Sequence, residues 1–64
     1  MTDLSVQNHG SIFLLVPESD LGREWIAERI PEDATRWGED AVVVEHRYIA
    51  DIVQGAINDG LEVL

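Results

Sequence analysis

Two stretches of this chain are apolar without a break, and two more are apolar at helical intervals. The first continuous run is Ile12-Phe13-Leu14-Leu15-Val16, ended by Pro17. Its length and its β-branched or aromatic residues predict a buried central strand. The second, Ala41-Val42-Val43-Val44-Glu45, predicts a strand lying centrally beside it. Thr35-Arg36-Trp37 precedes it across Gly38-Glu39-Asp40, a three-residue connection with a glycine that predicts a β-hairpin with a bulge.

Helical spacing begins after Pro17. Leu21, Trp25, Ile26 and Ile30 build one broad apolar face, with Ser19 as the N-cap and Glu18 and Asp20 at the positive end of the helix dipole. Pro31 stops that helix. In the second helix Ile49, Ile52, Val53, Ala56 and Ile57 follow the i, i+3, i+4 rule. Gly55 costs about 1 kcal/mol in mid-helix and points to close approach by a neighbour. Gly60 takes the left-handed position that ends the helix, and Leu61 to Leu64 alternate as a short last strand. Met1 to Asn8 alternate only weakly, as a flexible lead-in or an edge strand, and His9-Gly10 is a turn. Residues 9–64 then form a single α+β domain in the order β-α-β-β-α-β. Its sheet is three- to four-stranded and mainly antiparallel, with two helices on one face.

Composition adds two constraints. A chain of 64 residues buries only about 60% of its unfolded surface, so its stability is marginal. With no cysteine it has no disulfide or thiolate metal site to help, which leaves a partner or self-association as extra support. Thirteen acids oppose four arginines and no lysine, a formal net charge of −9. That balance repels nucleic acid and anionic membrane and attracts basic protein surfaces. The N-terminus lacks the regions of a signal peptide and no apolar run is long enough to span a bilayer, so a cytoplasmic location is expected.

Candidate chemistry is sparse. His9, Glu45 and His46 are the candidates for acid–base or metal work, yet no His spacing matches a metal motif. His46 is expected to cap or pack at the start of the second helix. Ser5, Ser11 and Ser19 lie in no nucleophile-elbow context, and no glycine-rich phosphate loop is present. The expectation is therefore no enzyme, no cofactor and no metal. Arg23, Arg29, Arg36 and Arg47 each have an acid within a few residues and suit local ion pairs. Trp25 has core spacing, whereas Trp37, before a turn, suits a contact surface.

The acids themselves are concentrated. Eight of the thirteen fall between Glu18 and Asp40, and Asp20, Glu24 and Glu28 recur every fourth residue as one helical stripe. Each step is about 6 Å along the axis, comparable with the roughly 6–7 Å between neighbouring phosphates of a strand whose axial repeat is about 3.4 Å. Like charges at i, i+4 cost a few tenths of a kcal/mol each, so keeping them in a marginal domain argues for use. Asp20, Glu24, Glu28, Glu32, Asp33, Trp37, Glu39 and Asp40 are the candidate partner-binding residues.

The segments NHGSIFLLVPES, VVVEHRYIADIV and NDGLEVL, with the cysteine- and lysine-free acidic composition, resemble short phage and prophage proteins. Among these the chain is similar to small anti-CRISPR proteins directed at type I surveillance complexes, those of type I-C among them, from Asn8 onward. The resemblance implies an acidic DNA mimic that blocks the basic, PAM-reading surface of a Cascade-type complex in the host cytoplasm. It carries no residue roles with it. The competing expectation is an acidic interaction module or homodimeric accessory protein using Trp37, Tyr48 and the last strand.

Overall fold

A computed structural model describes residues 1–38 and 40–64. The two continuous apolar runs are strands β2 (Ile12–Pro17) and β4 (Ala41–Glu45), antiparallel neighbours with Phe13 opposite Val44 and Leu15 opposite Val42. Strand β1 (Leu4–Asn8) flanks β2 and strand β3 (Arg36–Trp37) flanks β4, giving the antiparallel order β1-β2-β4-β3. Helix α1 (Asp20–Arg29) follows β2, and helix α2 (His46–Asn58) follows β4 directly. The fold is α+β, as the patterning predicts. Its core joins Leu4, Leu15, Val42 and Val44 from the sheet to Trp25, Ile26 and Ala56 from the helices. Those strand residues all share one face by register, so both helices cover the same side of the sheet.

Of the two expectations for the N-terminal residues, the edge strand holds, while the last strand is shortened. Residues 4–8 pair fully with β2, because Leu4 and Val6 alternate inward and Gly10, at φ 85°, closes a tight turn. Leu4 is completely buried. The expected last strand is reduced to one parallel bridge between Leu4 and Val63. Around it the Leu4 and Val6 N–H groups bond the Glu62 and Leu64 carbonyls at 3.1 and 3.2 Å and the Leu64 N–H bonds the Leu4 carbonyl at 2.9 Å, a short parallel pairing along β1. It starts late because Gly60 (φ 91°) reverses the chain after α2. The Leu61 N–H then bonds the Ala56 carbonyl at 3.0 Å and the Gly60 N–H bonds that of Ile57 at 3.0 Å, the two bonds of a Schellman cap. Leu61 thereby packs into the core.

Helix α1 buries Gly22, Trp25 and Ile26, whereas Leu21, expected on its apolar face, is half exposed. The cause is a non-local contact. The Asp3 carbonyl lies against Gly22, where a Cβ would collide with that oxygen and sit 3.2 Å from Leu4 Cδ2. The helix rests on β1 through its glycine, and this rotation turns Leu21 outward. Ser19 caps the helix by accepting the Gly22 N–H at 3.0 Å, and donates its own hydroxyl to Asp3 Oδ1 at 2.6 Å. In α2, Ile57 is likewise half exposed because Leu61 folds back over that end instead. Gly55 has only Trp25 Cζ2 opposite it, 3.9 Å from where a Cβ would stand, so the expected close approach there is ordinary contact.

Opposite responses to the same substitution follow. Gly22→Ala is expected to destabilise by about 2–3 kcal/mol, through overpacking against backbone that cannot swing away. Gly55→Ala is expected to stabilise by about 0.5–1 kcal/mol, because an alanine fits there and favours the helix. Urea unfolding of the two variants beside the parent chain checks both signs.

The Asp3 carboxylate accepts the Glu62 N–H at 2.9 Å as well as the Ser19 hydroxyl. The Glu62 amide first and the Ser19 hydroxyl second favour its ionised form, holding its pKa below the ordinary carboxylate value. A depressed folded-state pKa adds stability above the unfolded value that is lost as pH falls through the folded one. Asp3→Asn should therefore melt below the parent at neutral pH, and the gap between them should close at acid pH. Paired thermal melts from about pH 7 down to about pH 2, across the unfolded carboxylate range, measure that gap.

Candidate functional site

The acidic stripe lies where helical spacing places it. Asp20, Glu24 and Glu28 are exposed on α1, on the side away from the sheet, and Glu32 and Asp33 continue beyond its end in an exposed loop. That loop begins where Ile30, extended ahead of Pro31, ends the helix. The Ala34 N–H then bonds the Pro31 carbonyl at 3.1 Å. Asp40, in the turn before β4, meets Arg23 Nε at 3.5 Å, and Arg23 Nη1 holds Asp20 at 3.2 Å. Glu39 lies outside the described residues.

Among the described residues, three of the four arginines are paired with acids. Arg23 serves Asp20 and Asp40, Arg29 holds Asp59 at 2.8 Å, and Arg47 holds Glu45 at 3.3 Å. Among the described residues, Asp3, Glu18, Glu24, Glu28, Glu32, Asp33 and Asp51 have no cation within 4.0 Å, though Asp3 and Glu18 accept hydrogen bonds from Ser19 and Ser5. Asp20 and Asp40 are half-neutralised by sharing Arg23. The carboxylates with neither a cation nor a side-chain hydrogen bond are therefore Glu24 and Glu28 on α1, Glu32 and Asp33 in the loop, and Asp51 on α2.

Trp25 backs this surface. It is buried against the helices and sheet, and its indole N–H donates to Asp59 Oδ2 at 2.8 Å. Asp59 thus receives both Trp25 and Arg29 and ties the end of α2 to α1. Sequence reasoning missed this role, because nothing local marks a contact 34 positions away. Glu24 and Glu28 line a cleft with Leu21, Trp25, Arg29 and Asp59.

The structure does not bring Trp37 to the acids of α1. Trp37 stands opposite Ala41, and strand parity puts both on the face turned away from Val42, Val44 and the helices. Ile12, Leu14, Val16 and Val43 share that face by register with one another, and so do Ser5, which holds Glu18, and Gln7 of β1. No helix covers them. Trp37 is 60% exposed, while its ring reaches to 6.3 Å from the His9 ring. Trp37 belongs to the Ala41 end of this face and His9 to the turn next to Ile12, so both side chains lean toward its middle. Leu14, at 5% exposed, is sheltered there. The continuous apolar runs in β2 and β4 were a usable signal for this second face, since a sheet with one wet face should alternate.

The remaining candidates fall in different places. His46 is the first residue of α2 and is exposed, with Glu45 at the cap position making no side-chain bond, so His46 neither caps nor packs. Ser5 donates to Glu18 at 2.7 Å and Ser19 is the α1 cap. Tyr48 is half exposed beneath the Arg47 guanidinium, 4.9 Å from the ring centre. Among the described residues no polar or charged side chain is buried, and no three His, Asp or Glu side chains are placed to hold a metal ion. Among the described residues no helix is long and apolar enough to cross a membrane. No protein-family model, no curated protein and no solved structure matches the chain.

Proposed function

We propose that this protein is a non-enzymatic inhibitor that works by occupancy. Its acidic helix side docks on a basic, DNA-binding surface of a host protein complex and keeps DNA away. The observation that carries this reading is the set Glu24, Glu28, Glu32 and Asp33, exposed and without cationic partners among the described residues. Leaving these carboxylates unpaired costs the free protein stability through like-charge repulsion, a cost removed when a basic surface supplies the cations. Arg23 and Arg29 are directed to Asp40 and Asp59 and so leave the row uncompensated.

The partner to try first is the one the resemblance implies, a type I (I-C) CRISPR surveillance complex in the host cytoplasm. There the row would take the place of phosphates at the PAM-reading surface. The protein would bind neither DNA nor membrane directly, because its own charge repels both.

With such a complex, the protein is expected to displace duplex DNA at about 0.05 M salt and to lose most of that ability by about 0.5 M, as screening shortens the reach of exposed charges. The Glu24→Lys/Glu28→Lys variant, altered only at exposed positions, should keep the circular dichroism spectrum of the parent. It should compete about tenfold or more weakly, a difference of about 1.4 kcal/mol. Competition indifferent to salt, or equal in the double variant, would sink the proposal.

A further inference from the structure

The outer edge of β4 is closed over only part of its length. Strand β3 pairs with Ala41 and Val42, and the Thr35 carbonyl takes the Val43 N–H at 2.9 Å. Ahead of Thr35 the chain leaves the edge through the turn in which Ala34 bonds Pro31. On the inner side Ile12 stands opposite Glu45 but turns its backbone toward β1, where its carbonyl takes the His9 N–H at 2.9 Å. By alternation along an antiparallel ladder, the Val43 carbonyl and the Glu45 N–H both point outward. Among the described residues neither has a backbone partner.

This edge borders a groove of about 320 Å³. Pro31 and Ala34 form one wall, Tyr48 and Ile52 the other, with Val44 beneath. The margins are acidic. Asp51 lines the groove, and Glu32 and Asp33 stand exposed between Pro31 and Ala34, all three without a cation within 4.0 Å. Glu45, at the strand end, is already held by Arg47, whose guanidinium lies over Tyr48. We infer that the groove docks an extended peptide segment of a partner protein, one with an aliphatic residue flanked two positions away on each side by lysine or arginine.

Each part of that description follows from the site. A free carbonyl at Val43 and a free N–H at Glu45 are what one residue of a parallel strand uses, donating to the first and accepting from the second. Peptides add to exposed sheet edges in this way, with alternate side chains in pockets. The bonded residue lies beside Val44, so its side chain shares the Val44 face and enters the apolar groove. Residues two positions away fall on the same face, at the margins where Glu32, Asp33 and Asp51 are unpaired. A second copy of this chain offers no such segment, since it has no lysine and no two arginines four positions apart. The inference goes beyond inhibition by the acidic row. Glu32 and Asp33 border both surfaces, whereas Val43, Glu45 and Asp51 belong to the groove alone. The site is weak by itself, because each hydrogen bond gains little net of the water it displaces.

The probe is a blocked pentapeptide, lysine-threonine-valine-threonine-lysine, titrated into the isotope-labelled chain and followed by amide NMR shifts. The Glu45 amide should move downfield as it gains a bond, with Ala34, Asp51 and Ile52 shifting beside it. Methylating the valine nitrogen removes the donor to Val43 and should weaken binding about threefold or more. Glutamate in place of both lysines should abolish it. These controls use the parent chain and depend on no variant folding. Asp51→Lys, at an exposed position, should weaken binding about fivefold or more and keep the parent circular dichroism. Asp51→Lys should still compete with DNA, and Glu24→Lys/Glu28→Lys should still bind the peptide, so the two proposals fail separately. An unmoved Glu45 amide overturns the inference, as does equal binding of the glutamate or N-methyl peptide. So do shifts centred on Glu24 and Glu28, or shifts of the groove amides that follow the chain's own concentration without peptide and assign the edge to a second copy.

Discussion

One residue, Asp3, holds the two ends of the chain and the first helix in a single junction. Its carbonyl accepts the Glu18 N–H at 2.8 Å and lies against Gly22. Its own N–H donates to the Glu62 carbonyl at 2.9 Å, while its two carboxylate oxygens take Ser19 and the Glu62 amide. These bonds join segments 16 and 59 positions apart in sequence. Long loops are closed by such contacts at a cost that grows only slowly with length, so a few good hydrogen bonds suffice where the core is small. The absence of a side chain at Gly22 is the condition for all of them. With any Cβ there, α1 would stand off from β1 and the Ser19 cap would lose its partner.

That junction fixes the roll of α1 about its axis, and the roll decides which surface is acidic. Seating Gly22, Trp25 and Ile26 inward leaves Glu24 and Glu28 outward, with Arg29 reaching sideways to Asp59. Arg36 lines a shallow hollow with Arg23 and Asp40, at the edge of the sheet and not among the α1 acids. Cations and anions are thus both present, but sorted: the arginines tie elements together while a set of acids is left to solvent. On the other side of the sheet the charges stand at the margins, Glu18 on Ser5 of the β1 strand and the Glu45–Arg47 pair at the end of β4. A sheet one strand pair wider than a hairpin is enough to keep these two surfaces apart.

Features written in consecutive residues were legible from sequence. The runs in β2 and β4, the Ser19 cap, the Pro31 stop, the Gly60 reversal and the pairing of Arg36 and Trp37 with β4 all depend on neighbours within a few positions. What escaped was set by distant contacts. Residues 4–8 alternate too weakly to decide between a lead-in and an edge strand, yet β2 templates them and Leu4 becomes a fully buried side chain. Leu21 and Gly22 exchange their expected burial because of an oxygen on Asp3. The acids of α1 could be placed on one face from spacing alone. The side on which Trp37 lies could not, since it depends on the pairing register of β3 with β4, which no single-strand pattern contains.

The two tryptophans end up in separate compartments, and this makes them separate optical probes. Trp25 is enclosed and its indole N–H is bonded to the Asp59 carboxylate, so its emission follows the packing of α1 against the end of α2. Trp37 lies mostly in water beside the His9 ring, and its emission follows whatever comes to rest on the bare face of the sheet. A blue shift without loss of structure then reports from Trp37, and a red shift on unfolding reports from Trp25. The chain carries its own label on each side.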